Sequence, residues 1–122
     1  MTTRTAELAD VCAVACADAF RGDGEILASP IGTIPMVGIR LAKLTFEPDL
    51  LMTDGDALLL AEVNEVGAPP DAPKAVEGWM PFRFVFDQLW SGKRHVMMGA
   101  TQVDRSGNQN IACIGPWAKP KG

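Results

Sequence analysis

The chain has 122 residues, room for one domain, with 48% hydrophobic and 21% charged, proportions that exclude a disordered tail or a collagen-like polymer. With 11 Lys and Arg against 15 Asp and Glu, its formal charge is −4 and its pI near 4.8. That balance lacks the basic footprint that phosphate neutralisation needs, so neither nucleic acid nor an anionic membrane surface is an expected partner.

The three cysteines, Cys12, Cys16 and Cys113, form no Cys-x-x-Cys pair and have only His95 to help bind a metal. Neither a disulfide framework nor a metal site is expected, and a reducing, cytoplasmic compartment fits. The apolar run over residues 11–17 is too short for a bilayer span. Its flanks, Asp10 and Asp18, are acidic where a secretory signal carries Lys or Arg.

Leu8, Val11, Cys12, Ala15, Cys16 and Ala19 recur at spacings of three and four, which predicts an amphipathic helix over residues 5–20 stopped by Gly22. Cys12 and Cys16 lie one turn apart on its apolar face and read as packing. Residues 25–28 form a short extended segment ending at Ser29-Pro30. Ile34, Val37, Leu41 and Leu44 then make the stripe of a second helix, with Pro35 in its first turn where a missing N–H is harmless. Phe46-Glu47-Pro48-Asp49 breaks that helix, and the apolar run at 50–53 reads as a strand covered on both faces. Two strands joined by a helix are expected to be parallel neighbours or near neighbours.

Residues 57–63 carry Leu58-Leu59-Leu60 without a readable period and stay open between strand and helix. Gly67, Pro69, Pro70 and Pro73 make residues 66–74 a surface loop. Phe82, Val85, Phe86 and Leu89 share one side of a third helix over 79–90, closed by Ser91-Gly92, and residues 95–98 form another buried strand. His95 sits inside that strand and reads as structural.

In open parallel sheets, ligands bind beyond the carboxyl ends of the strands. Asp54-Gly55-Asp56 follows one predicted strand and Gly99-Ala100 another, so a carboxylate and a small-residue turn would share a rim. A carboxylate serves as nucleophile or general base, and small residues let backbone N–H groups approach a developing oxyanion. Turn formation and close packing explain the same residues. The Asp54-Gly55-Asp56 run lacks the remaining ligands of a calcium loop.

The run from Gly99 through Ala100, Gln102, Val103, Asp104, Gly107 and Asn108 to Asn110 resembles the Gly-Ala-x-Gln-Val-Asp-x-x-Gly-Asn-x-Asn signature of family I CoA-transferase beta subunits. Ser29-Pro30-Ile31-Gly32, the helix Val37-Gly38-Ile39-Arg40-Leu41-Ala42 and Glu77-Gly78-Trp79-Met80-Pro81-Phe82 resemble the family in the same order. Within it the likeness is strongest to the CoA-transferase-like hydrolase subunit of actinobacterial steroid ring degradation.

The resemblance implies an open α/β sheet, mainly parallel and flanked by helices. It also implies an alpha-subunit partner in an alpha2beta2 heterotetramer, and an acyl-CoA substrate that brings coenzyme A with it, with no permanently bound cofactor. It implies Asp54 as the catalytic carboxylate, Gly99 and Ala100 beside the thioester oxygen, and Ser29, Gln102, Asn108 and Asn110 around the pocket. The family's transferases place Glu where Asp54 stands; the carboxylate is withdrawn by roughly 1.5 Å, and a misplacement of about 1 Å can lower a rate about a hundredfold.

A hydrolase escapes that penalty if Asp54, or a carboxylate of the partner, positions a water molecule. CoA-thioester or ring hydrolysis in steroid catabolism is therefore expected over true CoA transfer. The alternative is a non-catalytic interaction subunit that completes a partner's CoA pocket; a dinucleotide site lacks its Gly-x-Gly-x-x-Gly run. Family beta subunits continue past the signature, so residues 1–122 are expected to be one domain that is the amino-terminal portion of a full subunit, with an incomplete sheet.

Overall fold

The computed structural model describes residues 5–54, 57–69 and 71–121. Gly55 and Asp56 of the expected turn, Pro70 of the expected loop and the final Gly122 lie outside the described residues. The first helix, α1 (Leu8–Asp18), begins where the Glu7 amide donates to the Asp10 carboxylate at 2.9 Å. It is shorter than the apolar periodicity predicted, and Gly22, at φ 84°, supplies the left-handed residue of the turn that follows.

After α1 come β1 (Leu27–Ile31), α2 (Thr33–Thr45) and β2 (Leu51–Met52). The strand-helix-strand reading holds, and β1 and β2 pair in parallel through Leu27 with Leu51 and Ala28 with Met52. β1 runs on through Ser29 and Pro30, where the sequence suggested a stop at Ala28. The physical reason is local. Beyond Ala28, β1 has a neighbour on one side only, and a strand tolerates proline where its ladder is single.

The undecided run becomes β3 (Leu58–Leu60), which pairs antiparallel with β4 (Val76–Trp79). β4 was not anticipated, because Val76-Glu77-Gly78-Trp79 offers little alternation and Trp79 was read as the start of the third helix. That helix, α3 (Phe82–Trp90), begins only after Pro81, which is itself extended at ψ 140° and whose ring disfavours a helical residue before it. Then β5 (Arg94–Met98) joins β1 in parallel, giving a three-stranded sheet in the order β2-β1-β5. A small antiparallel hairpin, β6 (Gln102–Val103) and β7 (Gln109–Asn110), follows.

Alternation along the strands divides the sheet into two unlike faces. Ala28, Met52 and Met97 face α1 and α2, where Ala17, Phe20, Ile39, Ala42 and Leu50 complete the core. Gly38 permits the two helices to touch: a Cβ there would lie within 3.0 Å of the Cys16 Cβ, the Ala13 carbonyl oxygen and the Ala17 nitrogen. His95 packs its ring on Phe20 at 4.3 Å between centroids and bonds Asp23 through Nδ1 at 2.6 Å, a structural arrangement. The opposite face carries Leu27, Ser29, Leu51 and Arg94. The β3–β4 hairpin and α3 cover it incompletely, and cavities remain beneath them.

Candidate functional site

At the carboxyl end of the parallel strands lies a cavity of about 230 Å³, whose wall includes Ser29, Arg40, Thr53, Asp54, Phe82 and Arg94. A neighbouring cavity of about 420 Å³ has a mixed wall, with Leu51, Leu59, Trp79 and Phe84 beside Glu25, Gln88 and Lys93, and shares Leu27 and Met80 with the first. Their position follows from the chain path. Each parallel strand leaves the sheet on the same side, so the residues that follow β1 and β2 meet there.

Asp54 is the first residue after Thr53, which makes a single antiparallel bridge to Leu59. Its own N–H donates to the Leu58 carbonyl at 3.0 Å, and its carboxylate accepts the Leu58 N–H at 3.2 Å. The other carboxylate oxygen pairs with Lys74 Nζ at 2.9 Å, with the Asp54 side chain only 8% exposed. Lys74 comes from the Pro-rich loop that looked like a mere excursion.

Ser29 and Asp54 are thus brought to one cavity. Ser29 Oγ accepts from Arg94 Nε at 2.9 Å, and Arg94 Nη1 donates to the Val85 carbonyl at 3.1 Å. Arg40, one turn after Met36 on α2, donates to the Met36 carbonyl at 3.2 Å. It also donates to the Asn64 backbone and side-chain oxygens at 2.8 and 3.2 Å. Burial pulls the Arg40 pKa below its ordinary value.

Gly99 follows β5, on the far side of β1 from Asp54, so the two share the rim with two strand spacings, about 10 Å, between them. The Gly99 N–H donates to the Ile31 carbonyl at 3.4 Å, a long bond. Neither Gly99 nor Ala100 is part of the wall of these two cavities.

The same holds for Gln102, Asn108 and Asn110, which shape the exposed β6–β7 hairpin. Asp104 accepts the Ser106 and Asn108 N–H groups at 2.8 and 3.0 Å and the Asn108 side-chain amide at 2.8 Å. The Asn108 side-chain bond, then the backbone bonds, hold the Asp104 carboxyl below its usual 3.8. Gly107, at φ 84°, permits the tight turn. Asn110 Nδ2 bonds Gln102 Oε1 at 2.6 Å across the pair and the Cys113 carbonyl at 2.7 Å. In this chain the polar signature residues build a hairpin.

Arg40, Arg94 and Lys74 were the residues that sequence reasoning passed over. A signal existed for two of them: Arg40 interrupts an apolar helix stripe and Arg94 opens an apolar strand, each a charge where burial is expected.

Among solved structures, the chain superposes on Rhodococcus jostii RHA1 IpdAB with a TM-score of 0.81 and 57% identity, covering 97% of this chain and 46% of that one. It also matches glutaconate coenzyme A-transferase from Acidaminococcus fermentans with a TM-score of 0.67 at 21% identity, a likeness of fold. The chain has a CoA-transferase-like fold. The open, parallel α/β architecture expected of it is therefore present.

This CoA-transferase-like chain is 60% identical over 112 residues, 92% of its length, to the cholesterol ring-cleaving hydrolase IpdB subunit of Rhodococcus jostii strain RHA1. It is 56% identical over 120 residues to the subunit so named in Mycobacterium tuberculosis strain H37Rv. The chain spans 43% and 46% of those two relatives. No protein-family model matches it. The recognised likeness to a steroid-ring hydrolase subunit is thereby borne out. Among the described residues, no helix is long and apolar enough to cross a membrane.

Proposed function

We propose that this chain is part of a beta-type subunit of a heteromeric CoA-transferase-like enzyme that hydrolyses a steroid-derived ring carried as a CoA thioester. The observation that carries the reading is the 60% identity over nearly the whole chain to a cholesterol ring-cleaving hydrolase subunit. An alpha-type subunit as partner, an alpha2beta2 assembly and a cytoplasmic setting complete the proposal. Coenzyme A enters as part of the substrate.

Asp54 is the proposed chemical carboxylate. The ion pair with Lys74 holds one of its carboxylate oxygens in place. In the reaction Asp54 takes a proton from water as the water oxygen bonds to the substrate carbonyl carbon. The carbonyl π electrons move to oxygen, where N–H groups at Gly99 and Ala100 receive the charge. Collapse of the adduct expels the carbon or sulfur leaving group, which takes up the proton. Ser29 lies on the same cavity wall, and Gln102, Asn108 and Asn110 support the rim by fixing the hairpin beyond β5.

Asp54→Asn keeps an oxygen for the Leu58 N–H and removes the base. Assembled with the cognate alpha-type subunit, it should hydrolyse the ring thioester about 10²- to 10⁴-fold more slowly than the parent. Turnover within a few-fold of the parent would place the chemistry on the partner. That outcome would favour the second reading, an interaction subunit that completes the partner's CoA pocket. The engagement of both Asp54 oxygens within this chain is the observation on its side.

A further inference from the structure

Ser29 lies half-buried on the wall of the cavity at the strand ends, with one hydroxyl proton and two lone pairs to place. Arg94 Nε donates to its Oγ at 2.9 Å, so toward Arg94 the hydroxyl is an acceptor. A guanidinium has donors only, and the Ser29 proton must therefore point elsewhere. Among the described residues, Ser29 Oγ donates to no acceptor.

Arg94 is itself held. It pairs with Leu27 across β1 and β5, which puts it on the same face of the sheet as Ser29, and its Nη1 donates to the Val85 carbonyl of α3 at 3.1 Å. The acceptor side of the serine is thus fixed from β5 and α3, and its proton can turn into a cavity of about 230 Å³. Pro30, next in the strand, has no N–H to offer the same space.

The place of Ser29 in the sheet suits a developing charge. β1 is the middle strand of the order β2-β1-β5, so Ser29 stands about 5 Å from the strand that leads to Asp54 and about 5 Å from the strand that leads to Gly99. Water held by Asp54 reaches a carbonyl carbon from about 3–3.5 Å, which sets the carbonyl oxygen over β1 more readily than over β5.

We propose that Ser29 is a catalytic residue that donates its hydroxyl hydrogen to the oxyanion formed when water adds to the substrate carbonyl, with Arg94 as the positioning residue that turns this hydroxyl toward the cavity. The inference deepens the CoA-thioester hydrolase reading above and rests on it. Ser29 keeps its proton throughout. The water proton goes to Asp54, the carbonyl π electrons go to oxygen, and the Ser29 hydrogen bond strengthens as that charge grows. From the middle strand, Ser29 joins the Gly99 and Ala100 N–H groups.

The test uses the chain assembled with its alpha-type subunit and, as probe, 2-oxocyclohexanecarboxyl-CoA, a ring ketone beside a thioester. Water opens it to a linear CoA thioester with a new carboxyl group, read by mass as the gain of one water with CoA retained. Ser29→Ala should lower kcat about 10²- to 10³-fold with KM within a few-fold, because the oxyanion forms only on the way to product. Ser29→Thr keeps the hydroxyl and should recover most of the loss. Arg94→Met should lower kcat about 10-fold in the parent and not at all in the Ser29→Ala background, since Arg94 acts through Ser29.

A Ser29→Ala kcat within a few-fold of the parent overturns the proposal, as does a loss carried by KM. Equal losses from Arg94→Met in the two backgrounds overturn its positioning role. Inactive Asp54→Asn beside active Ser29→Ala would keep the hydrolase reading and reject this inference, whereas a parent assembly that opens no ring rejects both.

Discussion

Gly38 sits where α1 and α2 touch, so Gly38→Ala sets two effects against each other. Alanine favours a helix interior over glycine by about 1 kcal/mol. Against that, the new Cβ would lie within 3.0 Å of the Cys16 Cβ, the Ala13 carbonyl oxygen and the Ala17 nitrogen, when ordinary contact needs about 3.5–4.0 Å. None of these atoms can swing aside by a rotamer change. The helices must part, and overpacking of this kind costs about 1–3 kcal/mol, here toward the upper end because backbone is involved.

The net effect is a loss of about 1–2 kcal/mol, or a melting temperature lower by about 4–8 °C for a chain of this size. Urea unfolding followed by circular dichroism should show a lower midpoint at an unchanged slope. Gly78→Ala is the control: its nearest neighbour is the Leu59 Cδ1 at 3.9 Å, and it should move stability by less than about 0.5 kcal/mol. A Gly38→Ala chain as stable as the parent, or more so, would show that the helices are not held at this distance.

The Asp104 carboxyl, held low by Asn108, should titrate below 3.8 in the folded chain. Its stabilising effect is complete above the unfolded value and is lost as pH falls through the folded one. Carboxyl carbon NMR across pH 2–5 checks it; a midpoint at or above 3.8, or one unmoved by Asn108→Ala, refutes the arrangement. On α3, Phe86 and Trp90 are 52% and 89% exposed, so Phe86→Glu with Trp90→Lys should raise the solubility of the isolated chain. The unfolding midpoint should stay within about 0.5 kcal/mol. A large loss of stability would mean that this face packs inward.

Residues 1–122 were legible as a fold wherever a single period ran long enough. The stripe through Val37, Leu41 and Leu44 defined α2, and the apolar runs ending at Thr53 and Met98 defined two strands that flank β1 in parallel. β4 escaped because four residues with one glycine carry no period, and the extension of β1 through Pro30 escaped because it depends on which neighbours the strand lacks. The signature from Gly99 to Asn110 identified the fold family, although the polar residues within it bond to one another across a hairpin.

What the sequence by itself determined is local: helix faces, strand runs, turns that glycine and proline enforce, and a motif specific enough to place the chain among CoA-transferase-like proteins. Residues far apart in the chain are brought together only by the β2-β1-β5 sheet order and the packing of α2, α3 and the Pro-rich loop around its end. No period links Asp54 to Lys74, or Ser29 to Arg94, because each pair meets across strands and loops whose pairing is a property of the whole fold. The tertiary structure alone decided that the acidic residue of the cavity wall would pair with Lys74, while Arg40 and Arg94 meet no carboxylate among the described residues.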